Sequence, residues 1–170
     1  MANKSDLRYI KTDRLIQKTY LELRLTDGKP VKVSTLCEAA LINKTTFYVH
    51  YLDMEDLHRQ VCEQTIRELV LGCPHVMDAF TETQNFVSSL IHTLLDHQKL
   101  IWALFGEESA PCTNLIEQEL LKLYLPGNDD PGMELKIRFA IGGALRILAY
   151  EKYYHQIDDV VTLLKKVLED

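Results

Sequence analysis

The chain has 170 residues, 46% of them hydrophobic and 26% charged. That is the composition of a globular protein long enough to bury a core without disulfides or structural metal. No apolar run approaches the ~20 residues that span a bilayer, and the opening MANKSDLRYIKTDRL lacks the apolar core of a secretory signal, so neither membrane insertion nor export is expected.

The net charge of −6 is unevenly placed. Residues 1–52 hold nine Lys or Arg against five acids, or +4, while residues 53–170 sum to −10. Such asymmetry suggests that one part faces a polyanion, although +4 is also the charge of an ordinary solvated surface. Cys37, Cys62, Cys73 and Cys112 are scattered without a CxxC pair. They read as the reduced thiols of a cytoplasmic protein.

Helical periodicity runs through almost the whole chain. The spacing predicts a first helix from Leu7 to Leu25, where Ile16, Tyr20 and Leu23 fall at i, i+4 and i+7. Leu15 and Thr19 widen this stripe. Gly28 suits the left-handed position past the last turn, and Pro30 follows two residues on. A short second helix is predicted from Ser34 to Ala40, with Val33, Leu36, Cys37 and Ala40 inward. Leu41-Ile42-Asn43 makes a turn, and a third helix covers Lys44 to Tyr51. Asp53 is placed to cap a fourth helix, with Asp56 where a capping-box carboxylate sits. Leu57, Val61, Ile66, Leu69 and Val70 carry that helix to Gly72 and Pro74.

Beyond Pro74 the expected helices run from Thr83 to His97, Lys99 to Phe105, Thr113 to Tyr124, Met133 to Tyr154 and Ile157 to Leu168. Gly106 to Cys112 and Pro126 to Gly132 read as loops. The fold class is therefore all-α, about nine helices, with three short ones in front and a bundle behind.

The run LCEAALINKTTFYVHYLDMEDL, Leu36 to Leu57, carries the functional signal. On its third helix Lys44, Thr45 and Tyr48 share one side, with Thr46 and His50 beside them. Phe47 and Tyr51 face the other way. The outward set consists of donors: lysine neutralises phosphate, and the Thr and Tyr hydroxyls bond phosphate oxygens or base edges. The N–H groups from Asn43 to Thr46 add a positive helix end. A helix-turn-helix delivers such a helix to the major groove with its N-terminal residues forward.

With these residues in place, positions 7–57 resemble the DNA-binding domain of the tetracycline-repressor (TetR/AcrR) family. Tyr48, His50 and Leu57 fall on its most recognisable positions, and Phe47 and Tyr51 on its aromatic core. The segment RFAIGGALRILAYEKYY is similar to the C-terminal domains of members from low-GC Gram-positive bacteria. The resemblance implies a helix-turn-helix DNA-binding domain at 1–52 and a helical-bundle ligand-binding and dimerisation domain at 53–170. It implies a cytoplasmic, homodimeric transcriptional regulator, expected to be a repressor. The operator, a palindrome in double-stranded DNA, would be gripped through Lys32, Asn43, Lys44, Thr45, Thr46, Tyr48 and His50. A small-molecule effector in the C-terminal domain would release it.

Three positions depart from the family pattern. Leu41 replaces the usual turn glycine. Lys32 replaces the Thr that opens the second helix, so Ser34 is expected to cap a shorter one. Met54 replaces the Lys that opens the fourth helix, which should make the salt dependence shallower by about one unit of slope.

Phe86, Trp102, Phe105, Tyr124 and Tyr150 are the aromatics available to line a pocket, although aromatics at helical spacing equally form plain core. Gly142 and Gly143 sit inside a predicted helix at a cost of about 1–2 kcal/mol against alanine. With Leu145, Val161, Leu164 and Leu168 they are expected at a two-fold interface. Close packing inside one subunit, or room for a ligand, accounts for them nearly as well.

His58 and Cys62 share a helix face, but two ligands without a third do not make a metal site. No metal and no cofactor is expected. Neither a nucleophile–base–acid cluster nor a GxxxxGK[ST] loop is present, so an enzyme is not expected. The alternative is a coactivator or protein-interaction module that keeps the fold without operator binding, motivated by Leu41, Met54 and the acidic C-terminal part.

Overall fold

The computed structural model describes residues 6–78, 81–107, 109–127 and 132–148, together with 159, 162, 163 and 166; the side chains at 27, 83, 84, 109, 140 and 144–148 are outside this set. Among the described residues the regular elements are eight α-helices and one 3-10 turn, with no strand. The helices are α1 (Leu7–Asp27), α2 (Val33–Ala39), α3 (Lys44–His50), α4 (Met54–Leu71), α5 (Thr83–Asp96), α6 (Gln98–Phe105), α7 (Ser109–Tyr124) and α8 (Met133–Leu148). The all-α expectation holds. Of the predicted final helix from Ile157 only Asp159, Thr162, Leu163 and Lys166 are described, each of them helical, and the stretch of its predecessor from Ala149 to Tyr154 lies outside the described residues.

The chain divides into two compact units, Met1–Glu63 and Gln64–Asp170. In the first, α1, α2 and α3 contact one another pairwise. The Asp6 carboxylate caps α1 by accepting from the Arg8 N–H at 2.8 Å. Gly28 closes it at φ +61°, its N–H reaching the Arg24 carbonyl. A side chain with a Cβ would be strained in that left-handed conformation. Ile16, Thr19 and Tyr20 are buried as the stripe predicts, whereas Leu15, expected to widen it, is exposed. Leu36, Phe47, Tyr51, Leu57 and Val61 complete this core.

The start of α4 is fixed by the predicted capping box, with one shift. The Asp56 N–H donates to Asp53 Oδ1 at 2.8 Å, and Asp56 Oδ2 accepts in return from the Leu52 N–H at 3.1 Å, one residue ahead of the usual partner. The connection from α3 into α4 is thereby closed from both sides. By contrast, α2 begins at Val33 on Lys32, with no side-chain cap. The expected Ser34 cap does not form, because Ser34 already lies inside the helix.

In the second unit the core gathers Leu69, Val70, Phe86, Leu90, Ile91, Ile116, Leu120 and Ile137. The expected loop from Gly106 to Cys112 is shorter than predicted: α7 begins at Ser109 and takes Pro111 into its first turn. Proline is tolerated there because N–H groups of the first turn have no acceptor within the helix. Glu119 is a buried acid in α7. Burial alone would raise its carboxyl, but Lys122 Nζ at 2.5 Å and Arg67 Nε at 3.4 Å hold it below the ordinary range.

The Asp56 carboxyl also lies below its ordinary range. The Gln60 amide is the largest cause, followed by the Leu52 N–H, with Arg59 contributing less. A carboxyl whose folded value is lower than its unfolded value stabilises fully above the unfolded range, and that contribution disappears as pH falls through the folded value. Asp56→Ala is expected to lower the unfolding midpoint near neutrality and to flatten its fall on acidification. Thermal denaturation across the acid range checks this, and parallel curves for the two proteins would count against it.

Candidate nucleic-acid interface

The turn before α3 is built from backbone. The Leu41 N–H donates to the Glu38 carbonyl at 3.2 Å and the Ile42 N–H to the Cys37 carbonyl at 3.0 Å. This pair of bonds is the Schellman ending of a helix, and it requires a left-handed residue at position 41. Leu41 occupies it at φ +54°. The conformation expected for a glycine is thus kept by a leucine, at a strain of order 1 kcal/mol. The Leu41 side chain is 93% exposed.

Asn43 caps α3. Its Oδ1 accepts from the Thr46 N–H at 2.7 Å and from the Thr46 hydroxyl at 3.0 Å. Asn43 is therefore occupied as a cap, and the Thr46 hydroxyl proton is already given to it. Lys44, Thr45 and Tyr48 are exposed, Tyr48 at 56%. Lys32, at the start of α2, is exposed as well. These four are the residues of the expected set that stand free on the surface.

His50 is not among them. Its side chain is 4% exposed, and Nδ1 lies 3.4 Å from Asp13 Oδ1 without the alignment of a hydrogen bond. The ring stacks on Tyr9, centroids 4.0 Å apart. His50 therefore faces α1, and the expectation that it sits beside Lys44 on the outer face is corrected. The face carries more apolar surface than predicted: Val49 is 51% and Leu52 82% exposed.

The back of α3 is held by a polar network that local spacing does not reveal. The Tyr51 hydroxyl donates to Asp13 Oδ1 at 2.6 Å. Gln17 Nε2 donates to Asp13 Oδ2 and to the Tyr51 hydroxyl, each at 3.0 Å. Burial raises the Tyr51 phenol far above its ordinary value, and the hydrogen bond to Asp13 raises it further, so the group stays a donor. The signal available in the sequence is Asp13 and Gln17, four apart on α1.

His58 and Cys62, both on α4, meet a third side chain on α1. His58 Nδ1 lies 2.8 Å from the Tyr20 hydroxyl and the Cys62 Sγ 3.6 Å from His58 Nε2. Burial, then the positive charge of Arg24, holds the His58 imidazole below its ordinary value, with Glu55 opposing. Among the described residues no three His, Cys, Asp or Glu side chains converge as metal ligands.

The aromatics proposed for a pocket divide between the core of the second unit and its surface. Phe86 is buried in the core, Phe105 and Tyr124 pack against it, and Trp102 is 57% exposed. The Tyr124 hydroxyl donates to the Val76 carbonyl. Tyr150 lies outside the described residues. Of the expected interface, Gly142 and Gly143 are described, the Leu145 side chain is not, and Val161, Leu164 and Leu168 fall outside. Among the described residues nothing lies within 4 Å of a Cβ built on either glycine. Close packing within these residues therefore does not require them. On the same helix Leu135 and Phe139 are 70% and 67% exposed. With Gly143, also exposed, they recur every four residues.

Comparison with protein-family models, curated proteins and solved structures finds no match to this chain.

Two substitutions separate the strain at the turn from the tie behind it. Leu41→Gly is expected to raise stability by about 1 kcal/mol, because it relieves the left-handed strain and removes no buried contact. Tyr51→Phe is expected to lower it by about 1 kcal/mol, because Asp13 loses its hydroxyl donor. Urea unfolding of both variants gives the two signs, and a destabilised Leu41→Gly would show that the leucine packs against something.

Proposed function

We propose that the chain is a DNA-binding transcriptional regulator, a repressor of the tetracycline-repressor type, that holds a palindromic operator as a homodimer and responds to a small-molecule effector. The observation carrying this reading is the two-sidedness of α3. Phe47 and Tyr51 are buried behind it, while Lys44, Thr45 and Tyr48 stand exposed in front. Lys44 and Lys32 neutralise phosphate, and Thr45 and Tyr48 donate to phosphate oxygens or base edges. Asn43 and Thr46 serve the reading helix from within: one caps it, and the other is bound to that cap.

Dimerisation is the second part of the proposal. A palindrome is read by two helices one turn of DNA apart, about 34–36 Å, hence by a two-fold pair. The exposed stripe Leu135, Phe139 and Gly143 on α8 supports this, because it is apolar and a Cβ at the glycine meets nothing among the described residues. The effector needs only different affinities for the DNA-competent and released states of that dimer.

Mobility-shift titration of the full chain with its own upstream DNA, at several salt concentrations, tests the DNA reading. Lys44→Ala is expected to weaken binding and to reduce the salt slope by about one unit. If no complex forms at low salt, or Lys44→Ala binds like the wild type, the proposal is lost. Phe139→Asp is expected to convert the dimer to a monomer in sedimentation velocity without changing the helical spectrum. An unaltered dimer would remove α8 from the interface.

A further inference from the structure

Leu41 and Leu52 bracket α3, and neither packs into the core: they are 93% and 82% exposed, with Val49 between them at 51%. Thr45, Tyr48 and Val49 are exposed along α3, with Leu41 in the turn before it and Leu52 just past its end. The fold gives no reason for the leucine at position 41. Its Schellman hydrogen bonds use backbone atoms alone, and glycine would make them without strain. Its side chain instead adds exposed apolar surface at a conformationally costly position.

Charge narrows what could cover this surface. From Gly28 to Leu52 the chain carries Lys29, Lys32 and Lys44 against Glu38 alone, and Lys32 and Lys44 are exposed. The fitting partner is apolar in small spots and anionic around them. The major groove of DNA meets that description: it is flanked by phosphates, and thymine C5-methyls are the apolar groups in its base-edge pattern.

We infer that Leu41, Val49 and Leu52 form an apolar border to the reading face and pack on thymine methyl groups, so the operator half-site is selected for thymine beside the Lys44–Tyr48 contacts. This rests on the DNA-binding function proposed above and adds the base it prefers. Leu41 is then a specificity residue, and its presence in place of glycine exchanges backbone ease for a methyl contact.

The test separates this inference from the function beneath it. A random-sequence duplex library is enriched on the full-length protein at low salt. The enriched duplex is resynthesised with deoxyuridine for thymidine, which removes only the 5-methyl groups. The wild type is expected to bind the uracil duplex about fourfold more weakly for each methyl it covers. Leu41→Gly, although better folded, is expected to lose part of that discrimination, and Leu52→Ala likewise. Lys44→Ala is expected to weaken both duplexes while keeping the ratio. Equal wild-type affinity for the two duplexes, or an unchanged ratio in both leucine variants, overturns the thymine reading and leaves DNA binding intact. Failure to enrich any duplex overturns both.

Discussion

Tyr51 holds α3 against α1 in two ways at once. Its ring is buried beside Phe47, and its hydroxyl is bound to Asp13 and Gln17. A buried phenol without a partner would be costly, and the partly exposed Asp13 carboxylate supplies one. Paired, they specify one angle and one register for a helix of only seven residues. So short a helix has little stability of its own, and its position must come from packing and from its ends. Asn43 fixes the first end, and the Asp53–Asp56 box fixes the chain just past the second.

The same tie explains His50. Once Tyr51 is drawn inward at the C-terminal end of α3, the side chain before it turns toward α1 as well, stacking on Tyr9 and facing Asp13. Asp13 thereby becomes the focus of three side chains. The outer face keeps its lysine, threonine and tyrosine and gains apolar neighbours in place of an imidazole. Its chemistry becomes a small number of donors with exposed leucine and valine nearby.

The second unit presents a different balance. Its core is apolar, and its buried acid Glu119 is satisfied by two cations. Its outward feature is the α8 stripe. Two glycines in that helix give up helical stability, and no neighbour among the described residues requires their small size. Phe86 belongs to the apolar core, Tyr124 packs against it, and Trp102 is exposed.

Most helices, and the ends with strong capping residues, are legible in the chain because they depend on local chemistry, whereas the start of α2 and of α7 is not. Periodicity locates α1 and α4, Gly28 closes the first and Asp53 opens the other. The three-residue offset between Asp53 and Asp56 is a backbone constraint visible in the letters, whereas Asn43 and Thr46, read as operator contacts, are joined as a cap only in the structure. Exposed Lys44, Thr45 and Tyr48 are legible for the same reason: in a helix, spacing fixes which residues share a side. Where polar groups go once two helices meet is settled by tertiary packing instead. Asp13 and Tyr51 are 38 residues apart, and nothing in their local spacing announces the bond between them. Spacing misplaces His50 because it gives an angle around α3 but not the depth of α1 beside it. Leu41 is readable as an oddity. Its left-handed backbone and exposed side chain emerge only from the way α2 ends against α3.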